Sequence, residues 1–247
     1  MTHKPFFIFV FMLLAAGGSA AQSNDNEMQK RQSLIASEKQ EGDWISYRDV
    51  YRLMIRFEKY GKPKQFIQNN YQITPLDRRA SLDDLHLVLN GKTVRLNLPI
   101  DGVGRVAIPL LKTAYDENAE LSLNRKTNLF SFQTRISIIV RADGIYETGD
   151  LQTACEQALN YLRYTGEVSS SGKKCTGVKF SYAKNAGDVA VSFRSNGKLT
   201  PLPVRDGPAF SDDAATFKTV SYRFADWPER GQIIIQNAPI AIAALFD

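Results

Sequence analysis

Across residues 67–98, and again from 178 to the C-terminus, apolar side chains recur at every second position in one short segment after another. A chain with that spacing buries one face of a pleated strand and wets the other, which rules out an all-helical fold. Ile67, Tyr71 and Ile73 share a face in the first segment, and Leu85, Leu87 and Leu89 share one in the second. Asn90-Gly91 then has the residue types of a tight hairpin with positive backbone angles, and Val94, Leu96 and Leu98 continue the alternation beyond it. Further strands are predicted over 104–109, 119–124 and 129–141, then over 178–182, 189–194, 199–204, 217–224, 233–236 and 240–246.

Two stretches break this period. Val50, Leu53, Met54 and Phe57 lie at helical spacing behind Ser46, which reads as an N-cap with Asp49 completing a capping box and Ile45 and Val50 a hydrophobic staple. The helix they predict runs over 46–60 and stops at Gly61 and Pro63. Leu151, Ala154, Cys155, Ala158, Leu159 and Leu162 mark a second amphipathic helix. The fold class that follows is α+β, predominantly β, with two tandem small antiparallel β-sandwich-like units, each preceded by an amphipathic helix, over 46–145 and 146–247. NGKTVRLNLPIDG at 90 and NGKLTPLPVRDG at 196 both place a turn ahead of Leu-Pro and Asp-Gly, which suggests that the units are related. Ordinary turn chemistry produces the same letters.

Ahead of the first unit, residues 1–21 combine Lys4 with an apolar run from Phe6 to Ala16 and small residues at Ser19-Ala20-Ala21, the pattern of a cleaved Sec-type signal peptide. The apolar run falls short of the ~20 residues that span a bilayer, so no integral membrane segment is expected after cleavage. Residues 22–45 are polar and read as a tether. The expected location is the bacterial periplasm or the exterior. The whole chain carries +5, one unit of it in the leader, and its basic pairs Arg78-Arg79 and Lys173-Lys174 sit in loops without interleaved aromatics. That pattern argues against a nucleic-acid partner.

Cys155 and Cys175 are the only two cysteines. They lack the Cys-x-x-Cys spacing of a redox site, and with one histidine outside the leader they are too few to build a structural zinc site. In an oxidising compartment an even pair flanking a Ser-Ser-Ser-Gly loop is expected to form a structural disulfide that ties helix to strand. No metal or other cofactor is called for.

Catalytic signatures are as sparse. His86 alternates outward in LHLVL, and no serine-nucleophile elbow, zincin motif or phosphate loop is present. Paired carboxylates remain for glycoside chemistry at Asp83-Asp84, Asp212-Asp213 and Asp226 with Glu229, each in a segment that reads as a turn. Tyr47, Tyr51, Tyr60 and Tyr71 with Trp44 read as core or as a sugar-binding groove, and the terminal APIAIAALFD as a closing strand or one donated to a partner. The function expected is that of a non-catalytic binding or assembly module for an envelope protein or polymer. The alternatives are a carboxylate-dependent hydrolase of envelope glycans and a solute or lipid carrier.

Overall fold

The alternation and the two helical stripes produce their elements close to the expected places. A computed structural model describes residues 44–76, 81–169, 172–227 and 230–247. The predicted leader, the tether ahead of Trp44, Arg78-Arg79 and Glu229 lie outside the described residues. In the N-terminal half, strand β1 (Trp44–Ser46) leads directly into helix α1 (Tyr47–Glu58), and the Ser46 hydroxyl accepts the Asp49 N–H at 3.3 Å as the cap predicts. Strands β2 (Ile67–Pro75), β3 (Leu87–Asn90), β4 (Arg95–Leu98) and β5 (Arg105–Val106) follow. A short helix α2 (Lys112–Asp116), unmarked by any periodicity, precedes β6 (Glu120–Leu123) and β7 (Phe130–Ile138).

The C-terminal half opens in the same way. Strand β8 (Ile145–Glu147) runs into helix α3 (Thr148–Thr165), then β9 (Cys175–Tyr182), β10 (Val191–Ser195), β11 (Lys198–Pro201), β12 (Val204–Gly207), β13 (Phe217–Arg223), β14 (Gln232–Ile235) and β15 (Ala241–Phe246). Each helix therefore follows the first strand of its half instead of preceding the whole sandwich. Three-residue strands such as β1 and β8 are too short to show a period.

All pairings among the described strands are antiparallel, in four sheets ordered β1–β6–β3–β4, β5–β2–β7, β8–β14–β10–β11 and β12–β13–β9–β15. The two halves share one connectivity. In each, the strand before the helix pairs with the penultimate strand, which pairs with a hairpin. The strand after the helix pairs with the last strand, and β12 is the one addition. The agreement extends to register. Leu121 lies opposite Ile45 and Leu89, and Ile233 lies opposite Tyr146 and Phe193. Matched in this way, Leu87, Leu89, Leu98, Leu121 and Leu123 fall on Val191, Phe193, Leu202, Ile233 and Ile235, all of them buried.

The same register corrects the reading of the two hairpins. Leu98-Pro99 and Leu202-Pro203 do coincide, but the Asn-Gly pairs are out of phase by two positions. Asn196 and Gly197, with φ of 50° and 77°, form the tip of the β10–β11 hairpin, whereas the β3–β4 hairpin turns at Lys92-Thr93. Gly91 has no positive φ. A Cβ there would lie 2.5 Å from the end of the Glu117 side chain, which accepts the Thr93 N–H at 3.1 Å, so a larger residue would require that carboxylate to shift.

Each half packs its two sheets and its helix around one core. The first is built from Tyr47, Val50, Tyr71, Leu89 and Leu121, the second from Leu151, Cys155, Phe180, Phe193 and Ile233. Tyr47, Tyr60 and Tyr71 are buried, so these rings complete the packing and line no groove. A further cluster of Phe57, Tyr60, Ile67, Ala158 and Tyr161 joins the end of α1 to α3. Phe57 and Tyr60 both stand edge-on to Tyr161 at 5.1 Å.

Cys155, fully buried on α3, is bonded to Cys175 at the start of β9, with Cα atoms 5.9 Å apart. Replacing both by serine is expected to lower the unfolding free energy by about 3 kcal/mol, the entropy a loop of this size regains in the unfolded chain. Urea unfolding with and without reductant checks this. Reductant should lower the midpoint of the parent to that of the double variant and leave the double variant unchanged.

Candidate functional site

The outward positions of β2 and β7 are Gln68, Asn70, Gln72 and Thr74 beside Ser131, Gln133, Arg135 and Ser137, a wholly polar face. Such a face ordinarily meets water. Here Gln72 is only 1% exposed, with the 208–216 segment of the C-terminal half against it, and Ser137 is equally buried beneath Arg105, which reaches on to Ile240 O.

Arg135 organises the contact. Its guanidinium reaches Asp212 at 2.8 Å and Asp213 at 3.8 Å, and it lies over the Phe210 ring at 4.6 Å. Its Nε donates to Gln72 Oε1 at 2.5 Å, while Gln72 Nε2 donates to Val103 O at 2.9 Å and to Asp213 at 3.3 Å. Gln133 adds a donor to Asp212 at 3.1 Å. A second cross-link comes from Arg105, 7% exposed, which donates to Asp101, to Ser137 at 2.8 Å and to Ile240 O at 2.5 Å.

The two neighbouring carboxylates are driven apart. Burial raises both, but at Asp212 the hydrogen bond and charge of Arg135 outweigh it and the pKa falls below the ordinary value. Asp213 is more deeply buried, its side chain 5% exposed, and desolvation wins there, so its pKa is raised despite the Phe210 N–H it accepts at 3.0 Å. Lys179, facing outward from β9, has its pKa lowered by burial, partly offset by Asp213.

The 208–216 segment divides the seam into two hollows. The larger, about 570 Å³, lies between Gln72, Ile73, Leu76 and Leu82 of one half and Asp213, Ala215 and Phe217 of the other. The second, about 390 Å³, is bounded by Arg135, Leu162, Lys179, Asp212 and Ala243. Both are concave, and both combine apolar walls with a few charged groups, the usual make-up of a binding site.

The sequence candidates are distributed unevenly around this seam. Asp212-Asp213 is at its centre, on a turn as expected, and Asp213 closes that turn on Phe210. Asp83-Asp84 forms a separate surface turn in which Asp83 accepts the Ser81 hydroxyl at 2.7 Å and Asp84 takes a φ of 56°. Asp226 lies in a 3-10 turn after β13. His86 is exposed just ahead of β3, where its backbone N–H donates to Asn124 Oδ1 at 2.9 Å, the same side chain that donates to Asp84 O at 2.7 Å. The terminal segment is β15, paired with β9 within its own half. Arg135, Gln72 and Arg105 went unnoticed in the sequence, and the only signal for them was the run of polar residues alternating along 131–137. Among the described residues no three His, Cys, Asp or Glu side chains converge as a metal site, and no helix is long and apolar enough to cross a membrane. Comparison with protein-family models, with curated proteins and with solved structures returned no match to this chain.

Two outcomes are expected of the Arg135 cluster. Arg135→Met should leave both cores intact but free the 208–216 segment, seen as at least tenfold faster amide hydrogen exchange at Phe210 and Asp213 with unchanged protection in β9 and β14. For Asp213, a folded pKa above the unfolded one means that the native state binds the extra proton. Its contribution to stability is therefore present below the ordinary carboxylate pKa and is lost as pH rises through the elevated one. Asp213→Asn should remove that falling limb above the ordinary carboxylate pKa in a series of urea unfolding curves.

Proposed function

We propose that this chain is a non-catalytic binding or assembly module of the bacterial cell envelope, exported to the periplasm by its leader, that engages an envelope protein or polymer along the seam between its halves. The observation that carries this reading is the hollow of about 570 Å³ to which both halves contribute walls. Ligand sites favour such junctions because two packed bodies leave a concavity neither could form alone. The disulfide on α3 and β9 suits an oxidising compartment.

Asp212 and Asp213 argue against the glycan hydrolase. Glycosidase carboxylates stand on either side of a substrate, one of them free to donate a proton to it. Here Asp212 is held by Arg135 and Gln133, and Asp213 is turned onto the backbone of its own turn. The second reading, a solute or lipid carrier, is favoured by the size of the same hollow and by the apolar Ile73, Leu76, Leu82, Val103 and Phe217 in its wall.

Photo-crosslinking side chains placed at Leu76, at Ala215 and at the exposed Leu53 on α1, in the exported chain within intact cells, test the proposal. Adducts to an envelope protein or glycan are expected from Leu76 and Ala215 and not from Leu53. Lipid or small-molecule adducts at the same two positions would select the carrier. No adduct at the seam, or equal adducts at all three positions, would overturn the binding role assigned to it.

A further inference from the structure

The outward face of the β12–β13–β9–β15 sheet carries a second hollow, remote in character from the seam. Along β13 the outward residues are Thr219, Ser221 and Arg223, and Arg205 of β12 lies directly across from Thr219. These four, with Pro203 and Asp226, line a space of about 340 Å³. On β9 the next outward residue is Lys179, the cross-strand neighbour of Ser221.

The two arginines there form no salt bridge among the described residues. Arg105, Arg135 and Arg141 are each held by a carboxylate at 2.7–2.8 Å. Among the described residues neither Arg205, Arg223 nor Lys179 has a hydrogen bond or ion pair through its side chain. Two guanidinium groups lining one hollow repel, and an anion held between them converts that repulsion into attraction. Thr219 donates its hydroxyl to the Arg205 carbonyl at 3.1 Å, which steadies the edge strand that carries Arg205. The exposed Ser221 hydroxyl is left as a donor between the two arginines.

We infer that Arg205, Arg223 and Ser221 form a binding site for a phosphate monoester. Guanidinium forks match the paired oxygens of a phosphate, and a dianion suits two arginines better than a single carboxylate does. Among the described residues no aromatic ring lines the hollow to stack a base, which separates this chemistry from single-stranded nucleic acid. Asp226, the one acidic side chain in the wall among the described residues, opposes the anion and weakens the site. A soluble sugar phosphate and the headgroup of phosphatidic acid both present a phosphate monoester. The site goes beyond the seam reading and does not depend on it.

Isothermal titration of the mature protein with glucose 6-phosphate, and its co-sedimentation with phosphatidylcholine vesicles with and without phosphatidic acid, separate the two sources. Binding of either probe supports the site, and whichever binds names the source. Arg205→Ala and Arg223→Ala should each weaken that binding about tenfold, Asp226→Asn should strengthen it, and Arg95→Ala on β4 should leave it unchanged. Both arginines are exposed, and unchanged thermal unfolding of each variant guards against loss of fold. Absence of binding to both probes, or binding unaltered in the Arg205→Ala/Arg223→Ala double variant, would overturn the site while leaving the crosslinking result at the seam unaffected.

Discussion

Two sheets meet here through faces that are not their apolar ones, and Arg135 is what makes that contact stable. A polar strand face pressed against another body loses its water, and each lost hydrogen bond must be replaced. Arg135 replaces several at once. It donates to Gln72 and Asp212, approaches Asp213 and covers the Phe210 ring. The Arg105 and Gln72 donors reach across as well, so directional bonds join the halves beside the hydrophobic packing at the Phe57–Tyr161 contact, around Phe210 and Phe217, and where Ile138 and Phe66 enter the second core. Hydrogen bonds set one relative placement more sharply than apolar contact does, and that placement is what shapes the two hollows of the seam.

The shared connectivity gives this arrangement its logic. One half alone would expose the outward face of its smaller sheet. Two halves of like topology can each cover that face of the other, and only the second has added β12 and the 208–216 segment that does the covering. The addition also separates the two candidate surfaces. The segment fills the seam beside Ala241 and Ala243, while Arg205, Ser221 and Arg223 farther along the sheet stay open.

Much of the fold could be read from residue spacing, and the reasons are local. Alternating leucines at 85, 87 and 89 bury one face wherever the strand is placed, and Ser46 caps its helix through a bond three residues away. The Cys155–Cys175 bond followed from the even count and the absence of a redox or zinc spacing. Features that depended on distant partners were missed or misread. Asn90-Gly91 looked like a hairpin tip, yet the β3–β4 register, with Asn90 opposite Arg95 and the Gly91 N–H on Val94 O, puts Lys92-Thr93 there. The polar residues of β7 looked like a wet face because polarity in sequence does not say whether water or another sheet lies opposite.

The amino-acid sequence by itself determined the type and order of the longer elements and the cross-linked cysteines, because each depends on periodicity, short-range capping or the chemistry of a single pair. Tertiary structure alone decided that the halves repeat strand for strand, that Gln72, Arg135, Asp212 and Asp213 form one cluster, and that Arg205 and Arg223 share a hollow. Those groupings join residues far apart along the chain. Their proximity comes from sheet register and from the burial of a polar face, neither of which leaves a local mark.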